Sequence, residues 1–266
     1  MPRCSCDYLR VNDKSDPQKV RVGTAGWALP VAFGGRFPGD GSHLARYASV
    51  FATAEINSSF YRAHLRSTYA RWAASVPADF RFSVKMPKTV THENRLVGID
   101  ALLGSFLVQT AALGKRLGCI LVQLPPSLDF GIATAGSFFA ALRERFEGDV
   151  AVEPRHPTWF APASSLLLER YRCARVAADP ACVPAAAEPG GWTGFEYWRL
   201  HGFPRVYASS YDDAYLEAMA GKLARPERSA KSAWCIFDNT MFGAALINGI
   251  GLQTRLCNHM ATVRQL

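Results

Sequence analysis

Eight short apolar runs recur along the chain, and each carries polar residues toward its C-terminal end. They are Val22–Trp27, Thr53–Tyr61, Phe80–Lys85, Gly118–Pro125, Asp149–His156, Arg175–Asp179, Tyr197–Gly202 and Trp234–Asn239. The intervals have room for a helix and two loops after each strand, so the pattern predicts an α/β fold of the (β/α)8 TIM-barrel type rather than a sandwich of hairpins.

Helical spacing falls where such a barrel needs it. Leu44, Tyr47 and Phe51 follow Asp40 and Ser42, and Tyr69, Trp72 and Val76 follow Ser67. A longer helix is expected from near Asp100, burying Leu103, Phe106, Leu107, Leu113 and Leu117. Phe138, Leu142 and Phe146 mark the fourth helix after Thr134, and Leu166, Leu167 and Tyr171 the fifth. Tyr215, Leu216, Met219 and Leu223 after Asp212 form the seventh, and Ala245 to Leu256 the eighth. Between strands 6 and 7, Pro184, Pro189, Gly190, Gly191 and Gly194 suppress a full helix, so residues 180–194 are expected to form an irregular connection, either a lid or an ordinary crossover.

A chain of 266 residues with 49% hydrophobic content can bury one large core, so residues 20–266 are expected to form a single domain. Residues 1–19 read as a polar tail, a candidate for disorder, with no apolar signal segment; no run is long enough to span a membrane. The cysteines are odd in number and unpaired in spacing: Cys4, Cys6, Cys119, Cys173, Cys182, Cys235 and Cys257. A reducing, cytoplasmic setting fits, with Cys119, Cys173 and Cys235 as small core residues. The formal charge of +8 favours anionic partners by long-range attraction, although charge alone speaks first to solubility.

Strand alternation decides which side chains can meet inside the barrel. Glu55 shares a face with Asn57, Ser83 with Lys85, Leu121 with Gln123, Glu153 with Arg155, and Tyr197 with Arg199 and His201; Asp179 closes strand 6, and Asp238 and Asn239 end strand 8. With those faces inward, Lys85, Glu153, Arg155, Arg199 and His201 converge at the C-terminal mouth, where barrels of this type hold their active sites. A lone buried ion there costs several kcal/mol, so the cluster must be mutually paired, wet, or bound to a ligand; the bland alternative is a salt-bridge belt.

The same segments carry ordered motifs. Gly23-Thr-Ala-Gly-Trp27, Glu55-Ile-Asn-Ser-Ser-Phe-Tyr61, Lys85 followed by Thr91-His-Glu-Asn-Arg-Leu96, Gln123-Leu-Pro-Pro126, Glu153-Pro-Arg-His-Pro-Thr-Trp159, Arg199-Leu-His-Gly202 and Phe237-Asp-Asn239 resemble the YecE-like family, the domain of unknown function numbered seventy-two. The resemblance spans Val22 to about Leu256 and implies a single-domain barrel but no particular reaction. Two departures fall at the expected pocket: Pro154 interrupts strand 5 between Glu153 and Arg155, and Asp238 stands where the family commonly has Asn.

The chemistry available to this cluster is acid–base. Glu153 is the candidate general base, His201 can donate or accept a proton near neutral pH, and Lys85 is the third catalytic candidate. Arg155 and Arg199 suit phosphate or carboxylate groups, while Asn57 and Gln123 can orient hydroxyls. Trp27 and Tyr61 can stack on a planar ligand, and His92 can reach the pocket rim. Asp179, Asp238 and Asn239 complete the ligand-binding candidates. A divalent metal held by Glu55, Glu153, Asp179, His201 and Asp238 is possible on residue type. No Gly-rich nucleotide-cofactor motif and no Gly-x-Ser-x-Gly elbow occurs. The expectation is a hydrolase or lyase acting on a phosphorylated or otherwise anionic small molecule, such as a sugar or nucleotide derivative. The alternatives are a nucleic-acid-associated or metal-dependent nuclease-like barrel and a noncatalytic anion-binding protein.

Overall fold

A computed structural model describes residues 19–225 and 230–263. The proposed tail, with Cys4 and Cys6, lies outside the described residues except for Lys19, which opens the first strand. Strands β1 (Lys19–Ala25), β2 (Thr53–Ile56), β3 (Arg81–Lys85), β4 (Leu117–Gln123) and β5 (Asp149–Glu153) pair in parallel in chain order. The sixth strand is split at Val176: β6 (Cys173–Arg175) pairs with β5, whereas β7 (Ala177–Asp179) pairs with β9 (Glu196–Leu200). β10 (Ser232–Phe237) joins β9 to β1, so this hand-over nearly closes the barrel.

All eight expected strands are present, and their alternation divides the core in two. Ala25, Cys119, Leu121, Ala151, Ala174, Val176, Tyr197, Trp234 and Ile236 pack inside the barrel. Ala54, Ile56, Phe82, Val84, Val122, Val150, Val152 and Phe237 face outward and pack with the helices. Close approach is required at Gly23, where an added Cβ would lie 2.2 Å from the carbonyl oxygen of Thr53 on the neighbouring strand.

The helices are α1 (His43–Tyr47), α2 (Arg66–Ala74), α3 (Asp100–Thr110), α4 (Ile132–Arg143), α5 (Pro162–Arg170), α6 (Asp213–Ala224) and α7 (Ala244–Val263). Sequence chemistry starts two of them: the Ser42 and Asp212 side chains accept from the backbone N–H groups of Ala45 and Tyr215. The expected third helix is shorter than its apolar spacing suggests. Beyond Thr110 the chain tightens into a 3-10 stretch, Gly114 takes φ 53°, and Leu117 opens β4 instead of ending a helix. Leu166 also departs from expectation, lying exposed while Leu167 and Leu168 are buried.

The irregular connection contains one 3-10 turn, Pro184–Ala187, and a two-residue strand, β8 (Gly190–Gly191), antiparallel to β6. The Arg175 guanidinium anchors it, reaching the Ala185 carbonyl oxygen at 3.3 Å and lying close to Gly190, where a Cβ would meet it at 2.4 Å. These contacts hold the segment against β6. Among the described cysteines, Cys119, Cys173 and Cys235 are buried and Cys182 is exposed. No helix among the described residues is long and apolar enough to cross a membrane.

Candidate active site at the barrel mouth

The upper layer of the barrel interior is built around one guanidinium. Arg199, inward-facing on β9 and fully buried, directs Nε and Nη2 at the two oxygens of Glu55, at 3.0 and 2.7 Å. Its Nη1 donates to Glu153 Oε2 at 2.7 Å, and Nη2 also meets Asp238 Oδ2 at 3.0 Å. Three carboxylates from β2, β5 and the end of β10 therefore share one cation. The planar fork of arginine suits this role, because it presents several donors in fixed directions.

His201 and Arg155 extend the network toward the rim. His201 Nδ1 lies 3.0 Å from Asp238 Oδ2 and Nε2 lies 2.9 Å from Glu153 Oε1, so each ring nitrogen has a carboxylate partner. Arg155 Nη2 is 2.7 Å from Glu153 Oε1 and 2.9 Å from His201 Nε2. Beneath Arg199, the Tyr197 hydroxyl is 3.0 Å from Glu55 Oε2 and 2.8 Å from Ser83 Oγ; its one proton can go to the carboxylate while it accepts from the serine.

Burial and charge oppose each other throughout. Burial tends to raise the Glu153 carboxyl, but Arg199, Arg155 and His201 outweigh it and hold Glu153 well below its usual range. For Asp238, burial again acts upward and Arg199 with His201 wins, leaving it lowered. The Tyr197 hydroxyl is pushed well up by burial and by Glu55.

Lys85 differs in kind. It keeps 6% of its surface accessible and places Nζ 4.2 Å from the centre of the Phe60 ring, with no hydrogen bond to the ammonium among the described residues. Burial first and Arg199 second lower it to about 8, against upward pulls from Glu55, Glu153 and Asp238. Arg155 is the other group with capacity to spare: its side chain is 22% exposed, and its buried Nε has no partner. Asn57, on the Glu55 face, likewise has a buried Oδ1 without a partner.

Other candidates are distributed unevenly. Gln123 is half-buried at the end of β4, in register beside Glu153. His92 packs edge-on to Phe60, the ring that Lys85 overlies, and its Nδ1 lies 2.8 Å from Thr91 Oγ1; burial and then Lys85 lower it. Tyr61 lies exposed on the turn after β2, against Phe60. Three candidates point elsewhere. Asp179 shares the outward parity of Ala177, and its carboxylate accepts from the Tyr211 hydroxyl at 2.8 Å. Trp27 follows Gly26, whose φ of 86° turns the chain, and packs on Trp72 and Phe82 in the outer layer. Asn239 is buried in the connection to α7, donating to Ser209 O and Asn248 Oδ1.

The charge balance is more acidic than in the five-residue cluster expected from the sequence, where Glu153 is the one carboxylate beside Lys85, Arg155 and Arg199. Glu55 and Asp238 add two more, and all three acids converge on Arg199. A metal does not fit this arrangement, because a permanently charged guanidinium occupies the centre of the carboxylate set and Asp179 faces away. Among the described residues, no group of three or more His, Cys, Asp or Glu side chains is arranged to hold one. Phe60 and Tyr207 were not anticipated. Phe60 supports Lys85, and Tyr207, at φ 66°, sits edge-on to His201. Phe60 lies inside the Asn-Ser-Ser-Phe-Tyr motif, but no spacing rule ties it to a lysine on another strand.

Comparison with known proteins agrees with the fold. A DUF72 protein from Enterococcus faecalis V583 superposes with a TM-score of 0.74 at 20% identity, covering 89% of this chain and 95% of that one. One from Thermotoga maritima MSB8 gives a TM-score of 0.73 at 25% identity, covering 90% and 99%. The UPF0759 protein YecE of Escherichia coli K12 is 33% identical over 157 residues, 58% of this chain and 50% of that protein, so the chain spans about half the length of the curated relatives it matches. The family model described as "Protein of unknown function DUF72" matches residues 21–265, and the chain belongs to that family.

Proposed function

We propose that the barrel mouth is an enzyme site for a small anionic molecule, held by Lys85 and Arg155, with Lys85 as the proton-transfer group. The observation that carries this reading is the contrast in satisfaction: Arg199 spends its donors on three carboxylates, whereas the Lys85 ammonium and Arg155 Nε have no hydrogen-bond partner. Lys85 keeps 6% of its surface accessible, so an anion can reach an ammonium that no acceptor among the described residues pairs, beside the unpartnered Arg155 Nε. Arg155 can offer a fork to a phosphate or carboxylate, and Asn57 Oδ1 can accept from a hydroxyl.

Lys85 suits proton transfer better than Glu153 does. Held at about 8, its ammonium can release a proton close to neutral pH. Glu153 is engaged by Arg155, His201 and Arg199 and held well below its usual range, so it is a weak base and acts as a positioning residue. His201 lies between Glu153 and Asp238, with one ring nitrogen toward each, and joins the deep network to the rim.

The test is thermal melting in sulfate or phosphate against chloride at matched ionic strength. The divalent anions should protect more, by about 2.7 kcal/mol when present at about a hundred times Kd. Lys85→Met and Arg155→Ala should each reduce the difference. Equal protection by all three salts would remove the anion site.

Nucleic-acid association is the second reading, favoured by the exposed Phe203, Tyr207 and Phe242 on the loops after β9 and β10, with Arg205 over the Phe242 ring at 5.8 Å. It predicts single-strand binding that falls steeply between about 50 and 200 mM salt, whereas a small-anion site has a shallow dependence.

A further inference from the structure

We propose that Lys85 is a nucleophilic amine that condenses with the carbonyl group of a small anionic aldehyde or keto acid, its ammonium seated on the Phe60 ring and Arg155 taking the anionic end of the substrate. The proposal rests on the anion site argued above and names its substrate class.

Three features of the site support it. Lys85 is the buried lysine among the described residues; by contrast Lys88 and Lys222 sit at the surface, paired with Glu93 and Glu188. No acceptor among the described residues hydrogen-bonds the nitrogen; the Phe60 face and the charges of Glu55, Glu153 and Asp238 favour the ammonium, and burial with Arg199 outweighs them. Glu55, Glu153 and Asp238, the nearby acids, are committed to Arg199. For anion holding alone an arginine would serve better, since it keeps its charge when buried, whereas a lysine in such a place can become a free amine. The lowering of Lys85 to about 8 agrees with this.

The chemistry is balanced without a cofactor. The neutral Lys85 nitrogen adds to the carbonyl carbon, opening the C=O bond to a carbinolamine. The new hydroxyl takes a proton and leaves as water while the nitrogen lone pair forms C=N. Overall, one ammonium and one carbonyl give one protonated imine and one water. That iminium can accept an electron pair from an adjacent bond, so it serves carbon–carbon cleavage or proton removal at the neighbouring carbon.

The experiment uses the full chain with glyoxylate or pyruvate, traps any imine with cyanoborohydride near pH 7.5, and maps the modified lysines by mass spectrometry. Lys85 should be modified at least roughly tenfold faster than the exposed Lys115, because a larger share of it is free amine. Sulfate should slow labelling at Lys85 and leave Lys115 unchanged, and Lys85→Arg should lose the site-specific label. The key comparison lies within the wild-type protein, so it stands even if the variant folds poorly. Modification of Lys85 no faster than Lys115 overturns the proposal. If sulfate still protects against melting in that case, the anion site survives and only the amine chemistry falls; if neither effect appears, both fall.

Discussion

Arg199 and Lys85 are both buried cations at one end of one barrel, yet their surroundings are opposite. Arg199 sits among Glu55, Glu153 and Asp238 with its donors spent, and burial is outweighed by those three charges, which raise it. Lys85 lies on an aromatic ring with no acceptor, and burial lowers it. A satisfied charge joins strands and fixes side-chain positions. A cation without a protein hydrogen-bond partner, still reachable from solvent, retains a capacity to bind or react. On the proposed function the deep network is scaffold and the rim the working part.

The contrast can be broken most strongly at Arg199. Arg199→Met leaves three buried carboxylates without their cation and should cost about 3–5 kcal/mol or prevent folding. Its pH dependence should also invert. In the wild type, Glu153 and Asp238 are held below their unfolded values, so the stability they contribute is full above about pH 5 and is lost as pH falls through their lowered range. In Arg199→Met the clustered acids titrate above their unfolded values, so acidification toward about pH 4 should stabilise the variant. Chemical denaturation at several pH values checks both signs.

Glu153→Gln should have a smaller effect, about 2–3 kcal/mol, since the amide keeps the shape but removes one charge from Arg199 and Arg155. Once a substrate is in hand, turnover per folded molecule should persist in this variant; its loss would restore Glu153 as the base. Tyr197→Phe is the mildest, at about 1 kcal/mol, because it removes a neutral hydroxyl from Glu55 and Ser83. It should leave sulfate protection unchanged, as a scaffold residue must.

Much of this layout is legible in the sequence, because alternation has a fixed period and polar strand ends stand out. Parity alone places Glu55, Lys85, Glu153, Arg199 and His201 on inward faces. The misplacements have local causes. Asp179 shares its parity with Arg175, which turns outward to the irregular connection, and the break at Val176 is a feature of barrel closure rather than of local spacing. Trp27 is turned outward by Gly26, and Asn239 is held by Asn248 across the start of α7. The pairing of Glu55 with Arg199 spans 144 residues, and no spacing rule reaches that far. The count of nearby acids, and with it the balance between scaffold and rim, therefore required the fold.

The most direct measurement of that balance is the titration of Lys85 itself, followed by NMR of the lysine side-chain resonances with and without sulfate. A midpoint near 8 in the free protein, moving upward when sulfate binds beside the ammonium, is the expected result. A midpoint near the ordinary 10.5, indifferent to sulfate, would mean that Lys85 is solvated or paired like any surface lysine, and the distinction between a closed scaffold and an open rim would be contradicted.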